Sequence, residues 1–528
     1  MKENSTLYTY TSNLLKTDYS KKSLFERTIG KFYTPQFICD DLLSSIPKPQ
    51  DILESNTIKI IDPFCGDGRL IYNYIFDNIK DFKKIRSEIH LWDIDKEALE
   101  TAKKHLQDII NDNELSITLS IQHYNSFFID LDQYNGYFDL CLTNPPWETL
   151  KPDSRELKSL TTEEKEQYIE KLRTFDDKIS ALYPTSQPKI KFSGWGTNLA
   201  RVGIEVSLKL IRNRGKAGII SPSSFFADSQ SRELRKWFML NFTIEQLNFY
   251  KAETKLFSRV DQDTCSFIVN KAKIDSISLN INYYNKNLVR ETFENIKLEN
   301  LDDIDYRLPN YFGLKAKDIL FKLNKYSKLK EFKSDEFWSG RELDESRDKY
   351  LLSSNGKYPF LKGRMVKRYG VFEESTLFVA KENRSKLPKS LDFYRLVWRD
   401  VSRSNQKRRM KASIIPPGII TGNSLNVAYF VDNDLKKLLA LLALMNSTIF
   451  ELQVRSVLST SHMSVGAIRS GRIPPIDDVT SNKYLMSLVE KCLETNGDDI
   501  ELMKEIDEIV CQEYDLPKDC STYLTELF

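Results

Sequence analysis

Four short apolar runs separated by helix-length segments leave this chain few folds to choose from. Lys59-Ile60-Ile61 leads into Asp62-Pro63-Phe64-Cys65-Gly66-Asp67-Gly68 and then Arg69-Leu70-Ile71, which reads as strand, Gly-rich turn and helix start. Glycines there let the backbone approach a ligand at a helix N-terminus, although a plain tight turn has the same composition. Ile89-His90-Leu91-Trp92-Asp93-Ile94-Asp95 is a second strand, ending in acids. From Lys96 to Ile110, Ala98, Leu99, Ala102, Leu106 and Ile109 share one side at helical spacing. Leu115 to Gln122 is a third strand, followed by His123-Tyr124-Asn125-Ser126, and Tyr137 to Thr143 is the fourth. Strands and helices alternating at these lengths predict an α/β fold with an open, mostly parallel, doubly wound, Rossmann-like sheet. Ligands of such sheets lie beyond the carboxyl ends of the strands, where the Gly turn, Asp93, Asn125 and Asn144 all fall.

The fourth strand runs directly into Asn144-Pro145-Pro146-Trp147. Two prolines cannot continue a ladder and hold the backbone in a turn. An amide and an aromatic face on either side of that turn make a rigid polar cup with a flat wall. An exocyclic amine on an aromatic ring is a poor nucleophile, because its lone pair is delocalised. The Asn144 side-chain oxygen and the Pro145 carbonyl can each accept one of its N–H bonds, drawing the nitrogen toward tetrahedral geometry. Trp147 can stack on the ring that carries the amine.

A chain of 528 residues suggests two or three domains, and 41% hydrophobic with 29% charged residues is a folded composition. No run of about 18 apolar residues predicts a membrane span, and the first residues lack a signal-peptide core. Seven scattered cysteines and four histidines predict a reducing cytosol and no structural metal site. Cys65 and Cys141 read as small buried hydrophobes rather than nucleophiles. Asp67 and Asp95 read equally well as helix caps.

Taken in order, these motifs resemble the class I S-adenosylmethionine-dependent amino-methyltransferases. Within them the match is to the gamma, TaqI-like subgroup of N6-adenine DNA methyltransferases of restriction-modification systems. The resemblance covers roughly residues 28–275. In Phe32-Tyr33-Thr34-Pro35-Gln36-Phe37, it implies that Tyr33 and Thr34 contact the methionine part of the cofactor. It assigns Asp62, Pro63, Gly66 and Gly68 to the cofactor loop, Asp93 to the ribose and Ile94 to the adenine face. Asn125, next to Ser126, stands where the subgroup often has an Asp contacting the cofactor's adenine amine, and offers one acceptor oxygen. Asn144, Pro145, Pro146 and Trp147 match the catalytic motif, with Trp in place of the usual Tyr or Phe. Helix Leu199–Arg212, strand Lys216–Phe225 and the strand pair Thr243–Tyr250 and Thr264–Asn270 resemble later sheet elements. Between that pair, Phe257 of Lys255-Leu256-Phe257 aligns with an aromatic stacking on the far face of a flipped base; its other reading is ordinary core.

The expected organisation is a methyltransferase domain over 1–280 with an insert at 148–198, a DNA target-recognition domain of mixed α+β structure over 300–475, and a helical packing segment over 476–528. The insert is polar and charged with one helix around Thr162–Phe175, which suits a lid, a DNA contact or a solvated excursion. A polar stretch from Asn282 to Leu308 reads as the break between domains. The net charge is only +2, yet residues 361–411 hold fifteen Lys/Arg against five Asp/Glu. Arg399, Arg403, Lys407, Arg408 and Arg409, with Asn423 in a later turn, are the candidate DNA contacts. Leu435–Asn446 and an amphipathic pair over Tyr484–Cys511 read as packing helices.

The resemblance implies methyl transfer from S-adenosylmethionine to adenine N6 in double-stranded DNA. Such transfer needs no metal and no strong general base. It implies a bacterial, nucleoid-associated cytosolic protein acting as a monomer on an asymmetric site, with no membrane role. The wording of the second half also resembles the adenine methylases paired with type IIS restriction enzymes. No nuclease signature is legible, so a partner endonuclease would be separately encoded. An RNA or protein-glutamine methyltransferase with the same tetrapeptide is the rival enzyme. A DNA-binding specificity subunit with an inactive methylase fold is the non-enzymatic alternative.

Overall fold

Near-continuous apolar runs make strands that are buried on both faces, and the central strands of the first half of the chain follow this rule. The computed structural model describes residues 34–152, 157–158, 160–189, 191, 194–228, 230–257, 260, 262–272, 278–297, 306–308, 314–372, 374–403, 406–458 and 461–528. Tyr33, expected at the cofactor, lies outside them. The chain divides into two compact units, Met1–Pro309 and Asn310–Phe528.

The first unit is built on a nine-stranded sheet in the order β3-β2-β1-β4-β5-β7-β6-β8-β9. Its strands are β1 (Thr57–Asp62), β2 (Arg86–Asp93), β3 (Ile117–His123), β4 (Phe138–Thr143), β5 (Ile211–Pro222), β6 (Thr243–Tyr250), β7 (Thr264–Asn270), β8 (Ser278–Tyr284) and β9 (Arg290–Lys297). The first five pair in parallel, and β7 runs antiparallel between β5 and β6. Ile60, Ile61, Leu140, Cys141 and Leu142 are fully buried where β1 meets β4. Each such aliphatic side chain contributes about 1.5–3 kcal/mol of transfer free energy.

Helices cover the sheet: α1 (Gln36–Leu43), α2 (Arg69–Asp77), α3 (Lys96–Asp112), α4 (Thr162–Leu182), α5 (Leu199–Leu210) and α6 (Arg232–Asn241). The buried stripe of α3 is Ala98, Leu99, Ala102, Leu106 and Ile109, the set its periodicity predicts. Asp95 caps α3, accepting from the amides of Glu97 and Ala98, so it is a cap rather than a ligand-facing acid. Gly68 precedes α2 at φ 75°, and a Cβ there would lie 2.9 Å from the Ala102 Cβ. Its smallness therefore serves helix packing and a left-handed turn before it serves any ligand.

Two expectations change. The polar stretch from Asn282 is not a break, because β8 and β9 extend the sheet. Asn282 is buried and satisfied inside it, donating to Asn248 Oδ1 at 2.7 Å and accepting from Thr292 at 2.8 Å. Hydrogen-bonded polar side chains make a strand that apolar patterning misses. The 148–198 excursion is likewise fastened rather than merely solvated. Its ends are zipped by Leu150 N to Thr197 O and Leu199 N to Glu148 O, each at 2.8 Å. Helix α4 starts at a Thr161/Glu164 capping box, buries Ile179, sets Phe175 against Phe128 and holds Lys191 on Asp176 at 2.7 Å.

The second unit contains a four-stranded antiparallel sheet of β10 (Phe337–Gly340), β13 (Leu425–Phe430), β11 (Arg395–Arg399) and β12 (Ala412–Ile415), in that spatial order. Helices α7 (Leu435–Asn446), α8 (Thr448–Val457), α9 (Lys483–Glu494), α10 (Ile500–Glu513) and α11 (Lys518–Leu527) follow. Helices α7 and α8 are buried along nearly their whole length, as the apolar sequence of α7 requires. Among the described residues no single helix is long and apolar enough to cross a membrane.

Candidate functional site

Parallel pairing in register brings the carboxyl ends of β1, β2 and β4 to one edge, and side chains there bind one strand to the next. Asp62 ends β1; its Oδ1 accepts from Thr143 Oγ1 at 2.6 Å and from Phe64 N at 3.1 Å. That bond ties the Gly-rich turn to the residue before Asn144. Asp93 ends β2; it accepts from Gly66 N at 2.8 Å and Asp95 N at 2.9 Å, and so shapes the turn from the other side. Asn125 accepts from Phe127 N at 3.1 Å, and the buried Ser126 hydroxyl donates to Pro63 O. The Ser126 side chain therefore holds the Gly-rich loop from below. Ile94 is partly exposed beside Asp93.

Burial pushes the Asp62 carboxyl up to about 7 and that of Asp93 up to about 6, against hydrogen bonds that act to lower both. Neighbouring acids, Asp93 and Asp67 for Asp62 and Asp95 for Asp93, add to the rise. Such an edge has acceptors in excess of donors. A ligand bearing hydroxyl donors and a positive charge fits it. Cys65 and Cys141 are buried, and burial pushes both thiols well above their ordinary value, so neither is a nucleophile. All seven cysteines are free and buried.

Asn144 Nδ2 donates to the buried Thr34 Oγ1 at 3.3 Å. Arg69 in turn donates to Thr34 O at 2.7 Å and forms a forked ion pair with Asp67, closest at 2.6 Å. The segment before α1 and the tetrapeptide are thus one construction, joined by an arginine that motif reading overlooked. Pro145 rests on α5, where a Cβ on Gly203 would come within 2.3 Å of its Cβ. A glycine inside a helix costs about 1 kcal/mol in propensity, which is the signal that could have singled it out.

Trp147 and Phe257 meet edge to face with ring centroids 4.7 Å apart and interplanar angle 62°, and are 8% and 7% exposed. They are brought together as expected, but in contact rather than as two separated walls. A base stacked between them needs roughly twice the 3.5 Å van der Waals spacing, so the rings must part to admit one. The segment leading to Phe257 is pinned by the buried Lys251, whose Nζ lies 2.8 Å from Asp263 Oδ2. Asp263 also accepts from Ala252 N at 2.9 Å.

The basic segment of the second unit behaves differently. Arg409 is buried and donates to Ser402 O, and Arg408 pairs with Asp507 at 3.2 Å and donates to Asn446 O. Arg399 donates to the carbonyls of Val366 and Arg364. All three thus brace the unit from within, a role the sequence does not predict for them. Arg403 and Lys407 are exposed, and Asn423 is partly exposed, donating to Asp344 at 3.2 Å. Among the described residues, no cluster of His, Cys, Asp or Glu suits a metal ion.

No curated protein sequence matches the chain. Among solved structures, the chain is similar to the type IIL restriction-modification enzyme MmeI bound to DNA, with TM-score 0.53 and 11% identity over 98% of this chain and 77% of that one. It is similar to DrdV in a DNA complex, with TM-score 0.53 and 9% identity over 92% of this chain and 60% of that one. It is also similar to a nuclease-deleted form of the type ISP enzyme LlaGI with a DNA substrate mimic, at TM-score 0.51 and 11% identity, covering 92% of this chain and 56% of that one. At these identities the likeness is one of fold. Residues 78–257, from just after the Gly-rich turn to Phe257, match the Eco57I restriction-modification methylase family. Asn144, Trp147 and Phe257 fall within the matched residues, and the strand-end edge that they share with Asp62 and Asp93 is the candidate functional site of the first unit.

Proposed function

We propose that the chain is a site-specific DNA methyltransferase that methylates N6 of an adenine flipped out of duplex DNA, within a restriction-modification system. The observation that carries this reading is Asn144, held by Thr34 at the tip of β4 between Pro145 and the Trp147–Phe257 pair. Thr34, Asp62, Pro63, Gly66, Asp93, Ile94 and Asn125 would hold S-adenosylmethionine; the excess of acceptors at Asp62 and Asp93 suits its hydroxyls and its charge. Bound there, it supplies a methyl carbon activated by a sulfonium, which an amine lone pair can take up as sulfur leaves.

The protein's part is to make that lone pair available. Asn144 Oδ1 and the Pro145 carbonyl accept the two N6–H bonds, favouring the transition state, in which charge develops on nitrogen. Trp147 and Phe257 part and stack on the flipped base, offsetting an unpairing cost of a few kcal/mol. The amine proton leaves to solvent, so no strong base is required. Arg403, Lys407 and Asn423 of the second unit are proposed to contact the duplex, which makes binding fall steeply with salt. Within this reading the protein acts as a cytosolic monomer.

Transfer of labelled methyl to duplex DNA, RNA and a glutamine-bearing protein, each offered alone, tests the substrate class. Single-molecule sequencing of DNA from expressing cells tests the base and its context. Label on RNA or protein alone would replace the DNA reading. Cofactor binding without transfer to any of the three would favour a specificity subunit.

A further inference from the structure

Arg341 follows β10 in the second unit. Its Nη2 donates to Asp400 Oδ1 at 2.7 Å and its Nε to Asn426 Oδ1 at 3.2 Å. Among the described residues, its Nη1 has no partner. Asn426 is fully buried and donates to the same Asp400 oxygen at 3.0 Å and to Met463 O at 3.3 Å. On the other Asp400 oxygen, His462 Nδ1 donates at 2.8 Å. The Asp400 side chain is 3% exposed, whereas those of Arg341 and His462 are 47% and 57% exposed. Burial works to raise the Asp400 carboxyl, but the bonds from His462, Asn426 and Arg341 outweigh it and hold it at about 2. One buried carboxylate therefore props two surface side chains from beneath.

A brace looks different in the same sheet. Arg395, at the start of β11, pairs with Glu342 at 2.6 Å with both side chains 0% exposed, and its other donors reach the carbonyls of Phe393, Pro416 and Ile419. Arg341 and Glu342 are neighbours in sequence; the acid is sealed in and the guanidinium is left half in solvent. Such an arrangement adds little for stability alone, since an ion pair with its cation half in solvent contributes roughly 0–1 kcal/mol.

We propose that Arg341, pre-set by Asp400 and Asn426, reads a guanine edge in the major groove of duplex DNA, with His462 beside it. A guanidinium fork fits guanine O6 and N7 in a bidentate manner. Anchoring one side of the fork removes rotamer freedom before DNA arrives, which is what base reading needs and phosphate binding does not. The surroundings suit the same ligand. Val401, bridged to His462, is 50% exposed and can meet a thymine methyl. The exposed Arg403 lies two residues further on. The exposed Arg364 is tied in through its carbonyl to Arg399. The Asn423 turn is also adjacent, since Asp400 N donates to Ser424 O at 3.0 Å.

This inference rests on the DNA reading above, and the test separates the two. The full-length protein and its Arg341→Ala, Arg341→Lys and Asp400→Asn forms are compared by sequencing of methylated sites and by rates on matched duplexes. Melting temperature and cofactor affinity serve as controls for folding. Arg341→Ala is expected to slow transfer at the wild-type site roughly ten- to a hundred-fold and to tolerate replacement of one guanine. Lys, lacking the fork, does not restore discrimination. Independently of any variant, 7-deazaguanine at that position slows the wild-type protein and leaves Arg341→Ala unaffected. An unchanged methylation context in Arg341→Ala overturns the inference, as does an equal loss on every sequence with a shallower salt dependence. If the wild-type protein methylates no DNA, the DNA reading itself falls, and this inference with it.

Discussion

The strand-end edge of the first unit and the basic segment of the second were both legible as candidate sites, and folding treats them in opposite ways. At the edge, residues distant in sequence converge: Asp62 reaches Thr143, Asp93 reaches Gly66, and Asn144 reaches Thr34. In the basic segment, residues adjacent in sequence diverge: Arg408 and Arg409 turn inward, while Arg403 and Lys407 stay exposed. A strand must end at the sheet's edge, so a motif at its end has only one place to go. A run of charges in an irregular segment has no such constraint, and each arginine takes whichever partner the packing offers.

The sharpest break of this comparison is at Asn144. Asn144→Ala is expected to lower turnover by roughly 10²–10³-fold or more while sparing binding of cofactor and DNA. Labelled-methyl kinetics with separate binding isotherms check it, and surviving turnover would remove Asn144 from catalysis.

Next in size is Arg408→Ala. If Arg408 is a brace, the variant loses about 2–4 kcal/mol of stability, because Asp507 and Glu451 stay buried without it. Denaturant melts would show this. Weakened DNA binding at unchanged stability would restore it as a contact.

A smaller loss is expected for Gly203→Ala, about 1–3 kcal/mol, accompanied by slower turnover, since the new methyl displaces Pro145. Wild-type kinetics in that variant would show that the tetrapeptide does not depend on its seat against α5.

The pH prediction tests whether the edge is a ligand site or only a joint between strands. Asp62 and Asp93, raised to about 7 and about 6, accept hydroxyl hydrogens more strongly once ionised. Affinity for S-adenosylmethionine should therefore rise with pH from about 5 and level off above about 7. Stability of the free protein should change the other way. Between pH 4 and 7 the unfolded chain has lost these protons and the folded chain still holds them, so stability falls as pH rises. Asp62→Asn should flatten the upper part of both curves; calorimetry with and without cofactor reads them.

The smallest effect concerns Lys407. Lys407→Ala should lessen the slope of log affinity against log salt by about 1 and weaken all duplexes alike. An unaltered slope would leave the basic segment without a phosphate contact at that residue.

Sequence pattern alone carried the buried strands and the spacing of α3, because both depend on local periodicity. It also placed the tetrapeptide at a strand tip. Beyond its reach were β8 and β9, where a buried asparagine, Asn282, satisfied by its neighbours makes the stretch look polar and irregular in one dimension. So were Arg69, Gly203 and Lys251, whose importance lies in partners that only the fold brings near. Whether Trp147 and Phe257 stand apart or touch is a matter of rotamers and loop path, and only the tertiary structure decided it. The same holds for charge. Composition established that residues 361–411 are basic, but exposure depends on which carboxylates and carbonyls lie within about 3 Å, and that is set by packing.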